Sequence, residues 1–270
     1  MLYRGAKSPV LRDMGGFRVR LNMPGWLLPW PRDHGYGPLA MVAETMLDPG
    51  RLVAMHEHRN DEILSWVPEG VMRHDDRATG RLITDSAHLM VMNAGRSFWH
   101  SEETLPDDPP LRMLQILLRP DALDLPPNIQ HGPIATAPVN QWRYLVGPES
   151  GTAPFFVRNS VDFFDLTLEA GAKTTFPNAD GRHLYFYVFF GGVRTGGIEF
   201  AEGDQGLFRS DRSLELEAAT KSLVVAFLLD PNAPVVRRGT IGDHPKIPPP
   251  YLARPLLRLL HWRQRLFART

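Results

Sequence analysis

No uninterrupted apolar run in this chain is longer than seven residues, and only Leu184–Phe190 and Leu223–Leu229 reach that length. A membrane-spanning helix needs roughly 20 such residues in a row, so length alone argues against one. The shorter runs end in turn chemistry: Asp48-Pro49-Gly50, Glu69-Gly70, Ala78-Thr79-Gly80, Asn93-Ala94-Gly95, Gly191-Gly192 and Glu202-Gly203-Asp204. Such sequences supply the positive-φ positions that tight hairpins require. Few stretches before residue 240 carry a 3.6-residue period. Short strands closed by tight turns predict an all-β sandwich or barrel protein. The expected strands are Leu39–Leu47, Glu62–Pro68, Arg81–Thr84, Leu89–Met92, Met113–Leu118, Phe163–Leu168, His183–Phe190, Ile198–Phe200, Leu214–Glu217 and Ser222–Leu229.

Composition narrows the chemistry. An apolar content of 43% suffices for a packed core and is too rich for disorder. Thirty basic residues balance thirty acidic ones, which argues against specific nucleic-acid binding and against a chain built mainly to hold an anionic membrane. Cysteine is absent, which removes disulfides, thiolate zinc sites, iron–sulfur clusters and cysteine nucleophiles together. The opening segment MLYRGAKSPVLRDMGG has no apolar stretch or cleavage signal, so a cytoplasmic protein is expected.

A faint repeat organises the chain. Gly50 and Gly171 each end a short strand, Gly70 and Gly191 each end the next, and both pairs are 121 positions apart. Trp66 then falls opposite Tyr187. Two matched glycine pairs suggest duplicated β-modules, separated by a connector (residues 119–150) that carries six prolines. The expected division is a first module over 1–132, a second over 133–237, and a tail over 238–270. In that tail Ile247-Pro248-Pro249-Pro250 reads as a stiff spacer. Residues 251–270 contain five arginines and no acid, with Leu252, Leu256, Leu259, Leu260 and Phe267 on one helical face. An amphipathic basic helix is expected there, packing its leucines on the second module or docking on an acidic partner or membrane surface.

Two short motifs carry the chemistry, His56-Glu57-His58 and His100-Ser101-Glu102. In a strand, residues i and i+2 share a face about 6–7 Å apart. Each motif therefore presents two potential ligands to one side. If the two strands face each other inside a barrel, three imidazoles and a carboxylate converge. That donor set suits iron, manganese, nickel, copper or zinc and leaves open positions for water or substrate. His34, His74, His88, His131, His183, His244 and His261 have no comparable partner and read as ordinary structural or surface histidines.

The segment HEHRNDEILSWVPEG, followed by NAGRSFWHSEE and LQILLRP, resembles the pirin family of bicupins, as does its lead-in from Asp33. The resemblance runs from Asp33 to about Pro138 and more weakly to about Phe227. It implies two jelly-roll cupin barrels in tandem, with one metal in the N-terminal barrel held by His56, His58, His100 and Glu102. Iron(II) is the first expectation. Many cupins instead use a glutamate four residues after the second histidine, and Glu62 stands there. Along a straight strand Glu62 is about 13 Å from His58, whereas Glu102 adjoins His100. Glu62 is left as a pocket residue or a strand-edge carboxylate. Leu64, Trp66, Met92 and Phe98 are candidate walls of a flat, apolar pocket for an aromatic substrate, or simply core. At the 121-residue offset His56 becomes Pro177 and His58 becomes Ala179, so one metal per chain is expected. The C-terminal helix has no counterpart in the family pattern.

The resemblance implies a metal-dependent dioxygenase that cleaves a flavonol or related enol or phenol with dioxygen. Glu102 is the nearest candidate base for the substrate hydroxyl. It also implies an alternative, a non-enzymatic iron-binding regulator that docks on a transcription factor or metabolic enzyme, with residues 251–270 a candidate docking segment.

Overall fold

The computed structural model describes residues 1–10, 12–77 and 79–243. The helix expected over 251–270 lies outside the described residues. Within them the regular secondary structure is almost all strand, and the one helical element is a single 3-10 turn, Pro24–Leu27. No helix among the described residues is long and apolar enough to cross a membrane.

Each half forms a seven-stranded and a four-stranded sheet. The large sheet of the first module runs Asn128–Pro133, His88–Asn93, Glu62–Glu69, Leu111–Leu118, Leu39–Leu47, Phe17–Asn22 and Arg12–Asp13. Its small sheet runs Leu52–His58, Phe98–Glu103, Met72–Asp76 and Gly80–Thr84. The second module repeats the plan, with His183–Phe190, Ser222–Leu229 and Val161–Leu168 central in its large sheet and Lys173–Thr175, Glu215–Ala218, Gly192–Thr195 and Ile198–Ala201 in its small one. The glycine repeat marks real equivalences. Glu62–Glu69 and His183–Phe190 correspond end to end, and each is followed by a positive-φ glycine, Gly70 at 88° and Gly191 at 83°. Later the offset shrinks: Leu111–Leu118 matches Ser222–Leu229, because the intervening connections are shorter in the second module.

Strand alternation decides where the cores sit. In Glu62–Glu69, Ile63 and Val67 point to the small sheet of their own module, while Leu64 and Trp66 point the other way. Leu64 and Trp66 meet Phe163, Tyr185, Tyr187, Phe189 and Phe227 in the largest buried cluster of the molecule, which belongs to both modules. The two large sheets therefore stand back to back. Each fully buried large apolar side chain contributes about 1.5–3 kcal/mol, so this shared layer outweighs any single polar contact across it. Several polar groups within it are paired. Trp66 donates Nε1–H to Asp165 at 2.9 Å. Glu44 accepts from Tyr187 Oη at 2.7 Å and from Arg112 Nε at 2.7 Å. The Arg112 guanidinium also lies 4.2 Å over the Phe189 ring.

Two segments cross between modules. Leu2–Gly5 is the edge strand beside Gln205–Phe208, in the large sheet of the second module. Residues 238–243 return to the first, where Thr240 donates its amide to the Arg59 carbonyl and Asp243 accepts from Arg119 Nε at 2.7 Å.

Candidate metal centre

The small sheet of the first module carries the ligand-type residues. Leu52–His58 and Phe98–Glu103 run antiparallel, with His100 opposite His56 and Phe98 opposite His58. Beyond His100 the register slips, so that Ala54 and Met55 together oppose Ser101. The bulge leaves the Ala54 carbonyl beside His56, which donates Nδ1–H to it at 2.8 Å. On the other side of Phe98–Glu103, Glu102 lies opposite His74 and His100 opposite Asp76.

Outer contacts fix the tautomer of each imidazole. The Ala54 carbonyl only accepts, so His56 carries its proton on Nδ1 and leaves Nε2 bare. His58 Nδ1 lies 3.1 Å from Asp61 Oδ2, a carboxylate, so Nδ1 carries a proton and Nε2 is the nitrogen turned toward the other histidines. His74 donates Nε2–H to Asp76 at 3.0 Å, which leaves its Nδ1 to accept from His100 Nδ1 at 3.0 Å. His100 Nε2 is then bare, and it is buried without a hydrogen-bond partner.

These bare nitrogens fit a cation. His56 Nε2 and His58 Nε2 face each other at 3.1 Å, about the separation of two nitrogens bound cis to one ion at ~2.1 Å. A shared proton or a metal cation between them satisfies both nitrogens. The ligand atoms of His56, His58 and His100 all fall within 4.8 Å of one another. Burial lowers the pKa of His56 and His74 and drives His100 down to about 2, with the neighbouring imidazoles adding to the effect on His100. Neutral imidazole, the form that binds metals, is thereby favoured.

Glu102 belongs to a second, overlapping group. Its ligand atom clusters with those of His74 and His100, and Oε1 lies 3.9 Å from His100 Nδ1. Burial raises its pKa to about 7, against the opposing influence of His58 and of Gln115, whose Nε2 donates to both carboxylate oxygens at 2.7 and 2.8 Å. The four expected ligands thus share His100 but do not form a single group. His74, read from the sequence as an ordinary histidine, is fully buried and belongs to the second group.

The proposed pocket residues divide. Met92 and Phe98 lie in the apolar interior of the barrel, with the Phe98 ring 6.1 Å from His74. A cavity of ≈ 450 Å³ adjoins Phe98 and is lined also by Asp76, Arg77, Ser97, Trp99 and Ile129. Glu62 and Trp66 do not reach the histidines. The chain reverses at Arg59–Asp61, where Asn60 has φ 52°, so His58 and Glu62 lie in different sheets. Parity along one strand does not carry across such a turn. Glu62 faces the second module, accepting from Asn93 Nδ2 at 2.5 Å and from the Arg158 amide at 3.0 Å. Leu64 and Trp66 lie in the shared core. Among the described residues, both groups of three or more ligand-type side chains lie in the first module.

The pirin family model matches residues 33–118, and the model for the quercetinase C-terminal cupin domain matches residues 144–229. The chain belongs to the pirin family. Its two sandwiches are therefore the two cupins of a pirin, and the histidine cluster lies in the N-terminal one. Quercetin 2,3-dioxygenase of Escherichia coli strain K12 is 21% identical over 217 residues, 77% of this chain and 93% of that protein. Pirin-like protein 2 of Arabidopsis thaliana is 26% identical over 189 residues, 67% of this chain and 55% of that one. Among solved structures, the bacterial pirin YhhW of Escherichia coli in complex with nickel(II) superposes with a TM-score of 0.74 at 19% identity, covering 87% of this chain and all of that one. At that identity the likeness establishes the fold alone. The pirin fold and the bare histidine cluster together suit this chain to a metal.

Proposed function

We propose that this pirin is a metal-dependent dioxygenase of the quercetinase type, cleaving a flavonol or a related enol or phenol. The observation that carries the reading is the convergence of bare, buried imidazole nitrogens beside a carboxylate held near neutrality. The names of its relatives support it. In this reading His56, His58 and His100 hold one divalent ion, with Glu102 completing the set. Iron(II) is the metal we infer, and the same donors accept manganese, nickel, copper or zinc. When bound, the ion lowers the pKa of a coordinated hydroxyl and activates substrate toward dioxygen. The chain's own residues do the rest. Glu102, anchored by Gln115, takes the hydroxyl proton on its carboxylate oxygen. Phe98 and Met92 pack against the aromatic ring and keep water from it.

Dioxygen uptake tests this. Protein reconstituted anaerobically with Fe(II), Mn(II), Ni(II) or Cu(II) is given quercetin and a panel of smaller phenols and enols. His58→Ala protein with the same metal serves as the blank, since flavonols autoxidise. Uptake above that blank is expected. Glu102→Gln is expected to retain metal and lose about 10²-fold or more in turnover, the usual scale of a missing general base. No uptake by protein shown to hold one metal per chain would leave a non-catalytic role.

A further inference from the structure

We propose that residues 239–243, which follow the second cupin in sequence, are a working part of the metal centre in the first. Through Asp61 they hold His58 in the tautomer and orientation that free its Nε2 for an ion. The inference rests on the reading of His58 as a ligand and adds to it a part from far along the chain.

Asp61 is 1% exposed and receives four donors. His58 Nδ1–H reaches Oδ2 at 3.1 Å. The Thr240 hydroxyl reaches the same oxygen at 2.6 Å and the Ile241 amide at 3.2 Å, while the Gly242 amide reaches Oδ1 at 3.1 Å. Three of the four donors therefore come from the returning segment. That segment is itself pinned: Arg119 bonds Asp243 at 2.7 Å, and the Arg59 amide donates to Thr240 Oγ1 at 3.2 Å. The approach is so close that a Cβ at Gly239 would collide with Asp61 Oδ1. The opposite wall of the contact is the backbone of Asp61, whose carbonyl accepts from the Ala94 amide at 2.9 Å.

The physical consequence follows from the charge. A buried carboxylate with three of its donors withdrawn must be solvated or turn toward water. Either movement takes Oδ2 from His58, whose ring is then free to rotate and to exchange the proton between its nitrogens. Contacts of this kind, one shell out from a ligand, typically change metal affinity by 10–100-fold. Coupling is reciprocal, so an ion on His58 must favour docking of 239–243 by the same factor.

Thr240→Val keeps the side-chain volume and removes the hydroxyl, whereas Thr240→Ser restores it. Wild-type protein, both variants and His58→Ala are titrated with Ni(II), and the visible spectra of the Co(II)-loaded forms are compared. We expect about tenfold weaker binding and a shifted Co(II) spectrum in Thr240→Val, both recovered in Thr240→Ser. Hydrogen exchange on wild-type protein alone supplies a second arm, independent of how the variants fold: the Ile241 and Gly242 amides are expected to exchange about tenfold more slowly once metal is bound. Unchanged affinity and spectrum in Thr240→Val, or exchange at those amides indifferent to metal, would overturn the proposal while leaving the ligand reading intact. A wild-type chain that takes up no metal, or His58→Ala protein that binds it as tightly, would overturn both.

Discussion

Glu62 is a carboxylate whose burial outweighs the hydrogen bonds it accepts, and its pKa rises from 4.5 to about 7. Between those values the folded chain keeps a proton that the unfolded chain has released. Its stabilising contribution is thus fully present below pH 4.5 and is lost as pH rises through about 7. Glu62→Gln removes the titration. Urea melts across this range are expected to show the stability of the variant relative to wild type rising by up to about 3 kcal/mol from pH 4.5 to pH 8. A difference that stays flat with pH would refute the account. At this scale the sequence was legible where chemistry is written in an i, i+2 pair. His56, His58 and His100 converge as strand parity predicts. His74 was not legible, because the ligand-type residues beside it, His100 and Glu102, are supplied by the register of a neighbouring strand, and Asp76 two positions on reads as an ordinary hydrogen-bond partner. Trp66 was misleading for a different reason. Ile63-Leu64-Ser65-Trp66-Val67 is buried on both faces, so no polar alternation marks which face looks toward the histidines.

Among the elements, the ten strands expected from turn chemistry and apolar runs were readable because each is bounded by a glycine, a proline or a cluster of polar residues. Asn128–Pro133 and Arg143–Pro148, six residues each, lie in the proline-bearing segment read as a connector and were missed for that reason; other missed strands are very short or have distant partners. Phe155–Val157 and Lys173–Thr175 have three residues each, too few to show a period. Leu2–Gly5 is defined by a partner some 200 positions away. It covers the edge of Gln205–Phe208, packs Tyr3 against the shared core and places Arg4 against Asp204 at 2.5 Å. Removing residues 1–5 is expected to cost roughly 3 kcal/mol, the burial of one or two large side chains. It also bares a strand edge. Urea denaturation and size-exclusion chromatography would measure the two effects. Unchanged stability in a chain that stays monodisperse would mean the strand is an ornament of the edge.

For the whole molecule, the shared core makes independent unfolding of the two cupins unfavourable, since either one alone exposes the face of a large sheet. A single cooperative transition is expected despite the chain's length. A metal bound in the first cupin, as proposed, is then expected to stabilise both. At 100 times Kd the gain is about 2.7 kcal/mol, and amide exchange in Val161–Leu168 of the second cupin is expected to slow by the same free energy as exchange in Leu39–Leu47 of the first. Protection confined to the first cupin, or two separate melting steps, would show that the modules are energetically distinct. The second cupin is in this account half of the first one's core.

The crossing of Leu2–Gly5 into the second cupin also separates the order of synthesis from the order of assembly. Arg4 leaves the ribosome 200 residues ahead of Asp204, which at 5–20 residues per second is a wait of roughly 10–40 s. For much of that interval the apolar back of the first large sheet, Leu64, Trp66, Leu114 and Ile116 among it, has nothing to lie against. A nascent chain in that state exposes apolar surface that the finished fold buries. The yield of folded protein is therefore expected to depend on translation speed and chaperone supply as well as on the stability of the completed fold.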